Sequence, residues 1–231
     1  MHAKSQTHKT INLALFDFDG TLYPKDSFTG FIFYTLSKRH IVKKSLKILP
    51  WIHAYYLKLY PAHAMRARLF QSMFKGIAAD FVQNLAQEYA LQLTQNLDQN
   101  LLQQLRLHQQ QGDHIVLVSA SIDLYLVPIC EFLNIELICT ATEIKNGLLT
   151  GHYSSEDCSC EQKKLRILQQ YNLEDYQYIY VYGNSEEDLD MLSLADHPYM
   201  MGAAKPLPEL KQKEAVLWQN LKQLYKKPEV I

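Results

Sequence analysis

The sequence predicts an α/β protein with a doubly wound parallel sheet and an inserted all-helical segment. Three observations point there. Short apolar runs at 11–18, 114–120 and 178–183 are bounded by charge or glycine, as buried parallel strands are. From residue 97 onward such runs alternate with segments of helical spacing. Residues 27–95 instead show helical spacing alone: Phe31, Tyr34 and Thr35, then Leu69, Met73 and Phe74, then Phe81, Leu85, Ala86 and Tyr89.

In chain order, residues 1–9 are a loose polar tail and 11–18 (INLALFDF) the first strand. Pro50 and Pro61 punctuate the helical segment, and Gly76 closes one of its helices. A Gln/Leu-rich helix over 97–111 stops at Gly112 and leads into the strand 114–120. The helix at 122–133 contains Pro128, which is expected to kink or interrupt it. A strand at 136–142 follows. Asn146-Gly147 is a two-residue hairpin signal between apolar-rich flanks. A helix at 161–171, a strand at 178–183, a helix at 186–195, a strand at 197–201 and a closing helix at 207–224 complete the pattern.

Composition narrows the function classes. Of 231 residues, 48% are hydrophobic and 20% charged, which excludes a disordered chain. Lys plus Arg number 23 against 24 Asp plus Glu, so no whole-protein nucleic-acid affinity is expected. Cys158 and Cys160 form a C-x-C without a second ligand pair at zinc spacing, and Cys130 and Cys139 lie in apolar runs. The longest apolar stretch, 48–57, ends at Lys58, well short of the roughly 18 residues of a membrane span. The N-terminal residues lack an apolar targeting core, so a cytoplasmic location is expected.

Chemistry gathers at the strand ends, where ligands bind in such sheets. The first strand runs into Asp17-Phe18-Asp19-Gly20-Thr21, the second into Ser119-Ala120-Ser121, and the strand at 178–183 into Gly183-Asn184-Ser185-Glu186-Glu187-Asp188. Lys163-Lys164 opens the helix before that last strand. Asp17 and Asp19, two apart, would share a face of a regular strand, and Gly20 lets the chain turn away. Paired carboxylates suit a hard cation such as Mg²⁺. One carboxylate can attack phosphorus and form an aspartyl phosphate, and the other can move the protons.

DFDGT at 17–21 resembles motif one of the haloacid-dehalogenase (HAD) superfamily. VLVSAS, with its first serine at Ser119, resembles motif two. Lys163 resembles motif three of the phosphoserine-phosphatase-like branch, subfamily IB, and YGNSEEDLDML resembles motif four. Order and spacing agree over most of the chain. The resemblance implies a Rossmannoid catalytic core over 1–24 and 96–231, a helical cap over 25–95, and Mg²⁺-dependent phosphomonoester hydrolysis. It implies Asp17 as nucleophile and metal ligand, and Asp19 as general acid/base with its carbonyl on the metal. Ser119 would bond the phosphoryl group, and Lys163, rather than Lys164, would neutralise its charge. Gly20, Thr21, Ser121, Asp26 and Asn184 complete the expected substrate-binding set. Many relatives carry Asp at the position of Asn184, so Asp188 is expected to supply the third metal carboxylate. A catalytically weak phosphate-binding protein is the alternative that Asn184 leaves open. Asp26, nine residues after Asp17, is either a substrate contact or the N-cap of the next helix.

The helical segment leaves the substrate open. Between Ser27 and Ala79 there is no acid, while Lys38, Arg39, Lys43, Lys44, Lys47, Lys58, Arg66, Arg68 and Lys75 are interleaved with aromatic residues. Three readings stand. These helices form a bundle with solvated basic faces. Alternatively, they form a cap whose basic inner face collects a polyanionic substrate over Asp17, a small phosphorylated molecule being the expected partner. Or Trp51, Tyr55, Tyr56, Lys43, Lys44 and Lys47 lie on an anionic membrane surface, placing the protein at the inner membrane face. A weaker resemblance to the phosphatidylglycerophosphatase C type of lipid phosphatase supports that last reading.

Overall fold

The computed structural model describes residues 11–39, 57, 62–203 and 206–210. Its centre is a five-stranded parallel sheet built from β1 (Leu13–Phe16), β2 (His114–Ile122), β3 (Glu136–Thr140), β6 (Ile179–Gly183) and β7 (His197–Met200), in the order β3-β2-β1-β6-β7. β1 pairs with β2 from Leu13↔His114 and with β6 from Leu13↔Ile179. The chain therefore winds outward from β1 in both directions, and the switch point lies at its carboxyl end. All four β1 residues are fully buried, as a strand covered on both faces requires.

Alternation along the strands makes two cores. Leu13, Leu15, Val116, Val118 and Val181 face one side, with Ile167, Met191 and Leu192. Ala14, Phe16, Leu117, Tyr180 and Tyr182 face the other. Between β1 and β2 the chain inserts α1 (Ser27–Arg39), α2 (Ala62–Phe74) and α3 (Ala79–Thr94) before reaching α4 (Gln99–Gln111). Among the described residues these inserted helices continue the second core. Phe31 stacks on Phe74 at 5.6 Å and lies 5.2 Å from Tyr125 of α5 (Asp123–Leu133). Residues Lys43, Lys44, Lys47, Trp51, Tyr55 and Tyr56, which carry the membrane-surface reading, lie outside the described residues. No helix among the described residues is long and apolar enough to cross a membrane.

Local signals operate as their chemistry requires. Asp98 caps α4 by accepting from the Leu101 N–H at 2.9 Å, and Gly112 ends it in the left-handed region. Asn146 and Gly147 both take positive φ, the pairing that a two-residue turn needs between β4 (Thr142–Lys145) and β5 (Leu148–Tyr153). This antiparallel hairpin packs on the insertion: the Gly76 N–H donates to the Leu149 carbonyl, and Phe70 lies 5.3 Å from Tyr153.

Several boundaries differ from expectation. The strand expected at 11–18 stops at Phe16, because the chain turns through Phe18, whose carbonyl accepts from Thr21 and Tyr23. Asp17 and Asp19 therefore do not share a strand face. Helix α5 runs uninterrupted through Pro128, held by buried Tyr125, Leu126, Ile129 and Cys130 on either side. The helix expected at 186–195 is a 3₁₀ turn (Glu186–Asp188) followed by the short α7 (Leu189–Leu192). Residues 207–210 of the expected closing helix are irregular, and the rest of it lies outside the described residues.

Candidate active site

The switch point at the end of β1 opens into a cavity of about 340 Å³. Asp17, Asp19, Gly20, Asp26, Ser119, Ser121, Lys163, Asn184 and Asp188 all line it. Of the expected site residues only Thr21 stays out of the lining, and it bonds Asp17 from beneath. A larger groove, about 890 Å³, runs beside the amino ends of β2 and β3, away from these residues.

Asp17 follows β1 directly, and its N–H still donates to the Tyr182 carbonyl at 2.9 Å. Its carboxylate is held on both oxygens. Thr21 Oγ1 donates to Oδ2 at 2.8 Å, and Lys163 Nζ donates to Oδ1 at 2.5 Å. Lys163 enters from α6 (Glu161–Gln170), is almost fully buried, and donates also to Asp188 Oδ1 at 2.6 Å. Lys164, next along, turns outward to Ser193.

Asp188 faces Lys163 with one oxygen and the turn with the other. Its Oδ2 accepts from the N–H groups of Asn184 and Ser185 at 2.9 and 3.1 Å. Gly183 makes this approach feasible, since a Cβ there would sit 2.7 Å from Asp188 Cβ. Both Asp188 oxygens thus have donors already, an arrangement that serves Lys163 and the turn. Asn184 lies over Gly20, where φ is +78° and a Cβ would fall 1.9 Å from the amide nitrogen.

Asp19 points away from Asp17, toward the insertion. Its Oδ1 accepts from the Ser27 N–H at 2.6 Å, and its Oδ2 accepts from Ser121 Oγ at 2.5 Å. Ser121 was expected beside the substrate, yet its hydroxyl is given to Asp19. Ser119 is buried, and its Oγ accepts from the Ser121 N–H. Asp26 caps α1: its carboxylate accepts from the Thr29 N–H at 3.0 Å and the Thr29 hydroxyl at 2.7 Å. The N-cap reading of Asp26 is therefore realised, at the rim of the cavity.

The electrostatics follow from burial. Desolvation raises the Asp17 carboxyl above its usual range, Lys163 beside it opposes the rise, and the Asp188 charge adds to it. Burial raises Asp19 to about 7, with Asp26 adding and the Ser121 and Ser27 donors opposing. Burial alone would pull the Lys163 ammonium down, but Asp17 and Asp188 hold it above its ordinary value. Two buried carboxylates around one ammonium leave a negative excess. Among the described residues no three His, Cys, Asp or Glu side chains converge as a metal cluster. A cation here would be held by a mixed set of hard oxygens: Asp17, the Asp19 carbonyl and the Asn184 amide.

Sequence reasoning missed two groups of residues. Arg66 on α2 is buried and forks onto Asp157, at 3.1 Å through Nε and 2.8 Å through Nη2, with Glu187 at 3.5 Å. This ties the insertion to the core across the cavity. Glu187 is part of the tie. Ser27, Tyr89 and Tyr125 stand behind Asp19. Nothing local in the sequence pairs residues 91 or 98 positions apart.

Comparison with known proteins identifies relatives of this chain. The chain is 27% identical to protein CicA of Caulobacter vibrioides over 84% of its own length and 88% of that protein. It is 26% identical to a histidinol-phosphatase of Neisseria meningitidis over 88% of its length and 94% of that enzyme. In structure it resembles a substrate-bound phosphoserine phosphatase, with TM-score 0.59, 18% identity, and coverage of 94% and 99%; this likeness is one of fold. The model of the haloacid dehalogenase-like hydrolase family matches residues 14–193, most of the chain and every strand-end residue described above, and the chain belongs to that family.

Proposed function

We propose that this protein hydrolyses phosphomonoesters through an aspartyl-phosphate intermediate on Asp17, within the helically capped architecture of residues 25–95 over a core of 1–24 and 96–231. The observation that carries the reading is the pairing of two unlike carboxylates on one cavity: Asp17 held by Lys163 and Thr21, and Asp19 held separately by Ser27 and Ser121. One is oriented as a nucleophile, and the other is poised near neutrality to move protons. The histidinol-phosphatase and phosphoserine phosphatase likenesses support the same class.

In the first half-reaction an Asp17 oxygen attacks phosphorus and the P–O ester bond breaks. Asp19 gives its proton to the departing alkoxide. In the second, the Asp19 carboxylate takes a proton from water as that water attacks the phosphoryl group, which frees phosphate and restores Asp17. Lys163 offsets charge on the phosphoryl oxygens and is kept in place by Asp188; Ser119 and the Gly20 turn line the phosphate position. Asp17, the Asp19 carbonyl and the Asn184 amide oxygen would hold Mg²⁺. When bound, Mg²⁺ would polarise the phosphoryl group and balance the negative excess of the site.

The test is phosphate release from a panel of small phosphomonoesters, histidinol phosphate and phosphoserine included, with Mg²⁺ and with EDTA. Mg²⁺-dependent turnover supports the reading. A folded protein silent across the panel with Mg²⁺ present points to the phosphate-binding alternative instead.

A further inference from the structure

Asp19 is the end of a hydroxyl chain that crosses from the core into the insertion. Ser121 Oγ donates to Asp19 Oδ2 at 2.5 Å and lies 3.3 Å from Ser27 Oγ; Ser27 Oγ in turn lies 3.0 Å from Tyr125 Oη. A hydroxyl has one proton to give, which fixes the direction. Ser121 gives its proton to Asp19, so Ser27 must donate to Ser121 and Tyr125 must donate to Ser27. The Ser27 N–H independently donates to Asp19 Oδ1 at 2.6 Å.

Three further features indicate that the chain is built rather than incidental. Ser27, Ser121 and Tyr125 are 0%, 2% and 0% exposed, and buried hydroxyls cost stability unless each is bonded. Tyr89 Oη donates to the Ser27 carbonyl at 3.0 Å, fixing the first turn of α1 from the opposite side. Gly30, in the interior of α1, accommodates that contact: a Cβ there would lie 2.3 Å from Tyr89 Oη. A glycine inside a helix costs about 1 kcal/mol relative to alanine, and here the approach of Tyr89 requires it.

We propose that Ser121 and Ser27, backed by Tyr125 and Tyr89, are positioning residues that hold Asp19 as proton donor to the leaving group. Each Asp19 oxygen accepts one fixed donor, so the carboxyl plane is set. Because Ser27 and Tyr89 belong to inserted helices, the proton donor is aligned by the insertion itself. Cooperative polarisation along the chain strengthens the Ser121 donation. This inference rests on the phosphomonoesterase reading given above.

The experiment compares kcat/KM for p-nitrophenyl phosphate, whose leaving group departs without a proton, with that for an alkyl phosphomonoester that the wild type turns over. For Ser121→Ala, kcat/KM on the alkyl ester is expected to fall about 100-fold and on p-nitrophenyl phosphate about threefold, since protonation of a poor leaving group is what general acid catalysis supplies. Ser121→Thr, which keeps the hydroxyl, should recover most of the loss. Tyr125→Phe removes one hydroxyl without changing shape; it should show the same split at about fivefold against no loss, and it serves if Ser121→Ala does not fold. Equal losses on both esters in folded variants would overturn the positioning role while leaving the phosphatase reading intact. A folded wild type inactive on p-nitrophenyl phosphate and on every alkyl phosphomonoester tried, phosphoserine and histidinol phosphate included, would overturn the phosphatase reading and, with it, this inference.

Discussion

Lys163 Nζ donates to Asp17 Oδ1 at 2.5 Å across 146 positions of sequence. The ammonium is shared with Asp188, so one cation is the counter-charge of two buried carboxylates. Removing it strands both. Lys163→Ala is expected to destabilise the fold by about 3–5 kcal/mol, the range for breaking a buried ion pair from one side, and to abolish turnover. Urea unfolding checks the first part; a loss below about 1 kcal/mol would mean the pair is far wetter than its burial implies.

Asp19 gives a stability prediction with a definite sign. Its folded value, about 7, lies above that of an unfolded aspartate, so the neutral form is favoured in the fold. The associated stability is present at acid pH and is lost as pH rises toward and through 7. Asp19→Asn, neutral at every pH, should therefore gain Tm relative to wild type at pH 8 more than at pH 5. A difference that does not vary with pH would contradict the raised value.

In the proposed mechanism the same group is expected to set an alkaline limb on catalysis. As proton donor Asp19 must be protonated, so kcat/KM for an alkyl phosphomonoester should fall above about pH 7. The limb should be weak or missing for p-nitrophenyl phosphate, whose departure needs no proton.

Gly20→Ala should be damaging for two reasons. Its φ of +78° disfavours a side chain, and a Cβ would collide with the Asn184 amide at 1.9 Å. Displacing Asn184 removes one oxygen from the set assigned to Mg²⁺. The variant should need a higher Mg²⁺ concentration for half-maximal turnover and lose about 1–3 kcal/mol of stability, the range for a forced backbone conformation. An unchanged Mg²⁺ requirement would show that Asn184 is not a ligand.

Arg66 and Asp157 should couple strongly. Arg66→Met alone leaves Asp157 without its forked partner, and a loss of about 3 kcal/mol is expected; adding Asp157→Leu should recover part of it. A double-mutant cycle in urea measures the coupling.

Much of this site was legible in the sequence because short-range rules govern it. The apolar runs gave the buried strands, Gly112 its helix end, and Asn146-Gly147 its turn. Asp17, Asp19 and Asn184 follow strand ends, Ser119 lies in the carboxyl half of β2 and Lys163 in the first turn of α6, so topology brings them to one rim. Lys163 and Lys164 separate onto site and surface as adjacent helix positions must. What stayed hidden depends on tertiary pairing. Ser121, expected as a substrate contact, lines the cavity but gives its hydroxyl proton to Asp19, a partner 102 positions away. Asp188, expected as a metal carboxylate, also accepts from Lys163 and two backbone N–H groups, a positioning role that only the tertiary structure displays. Arg66 is one of nine basic residues in the helical segment, and only the fork onto Asp157 singles it out at the cavity. One overlooked local clue was Gly30, a helix-interior glycine whose cost signalled a close neighbour.

The central claim is that Asp17 carries the phosphoryl group. Acid quench of the enzyme during turnover of its best phosphomonoester, followed by peptide mass spectrometry, tests it most directly. The account predicts a hydroxylamine-labile phosphoryl group on the peptide containing Asp17, and neither adduct nor turnover in a folded Asp17→Asn variant. Full turnover in Asp17→Asn, or a phosphoryl group on another residue, would contradict it.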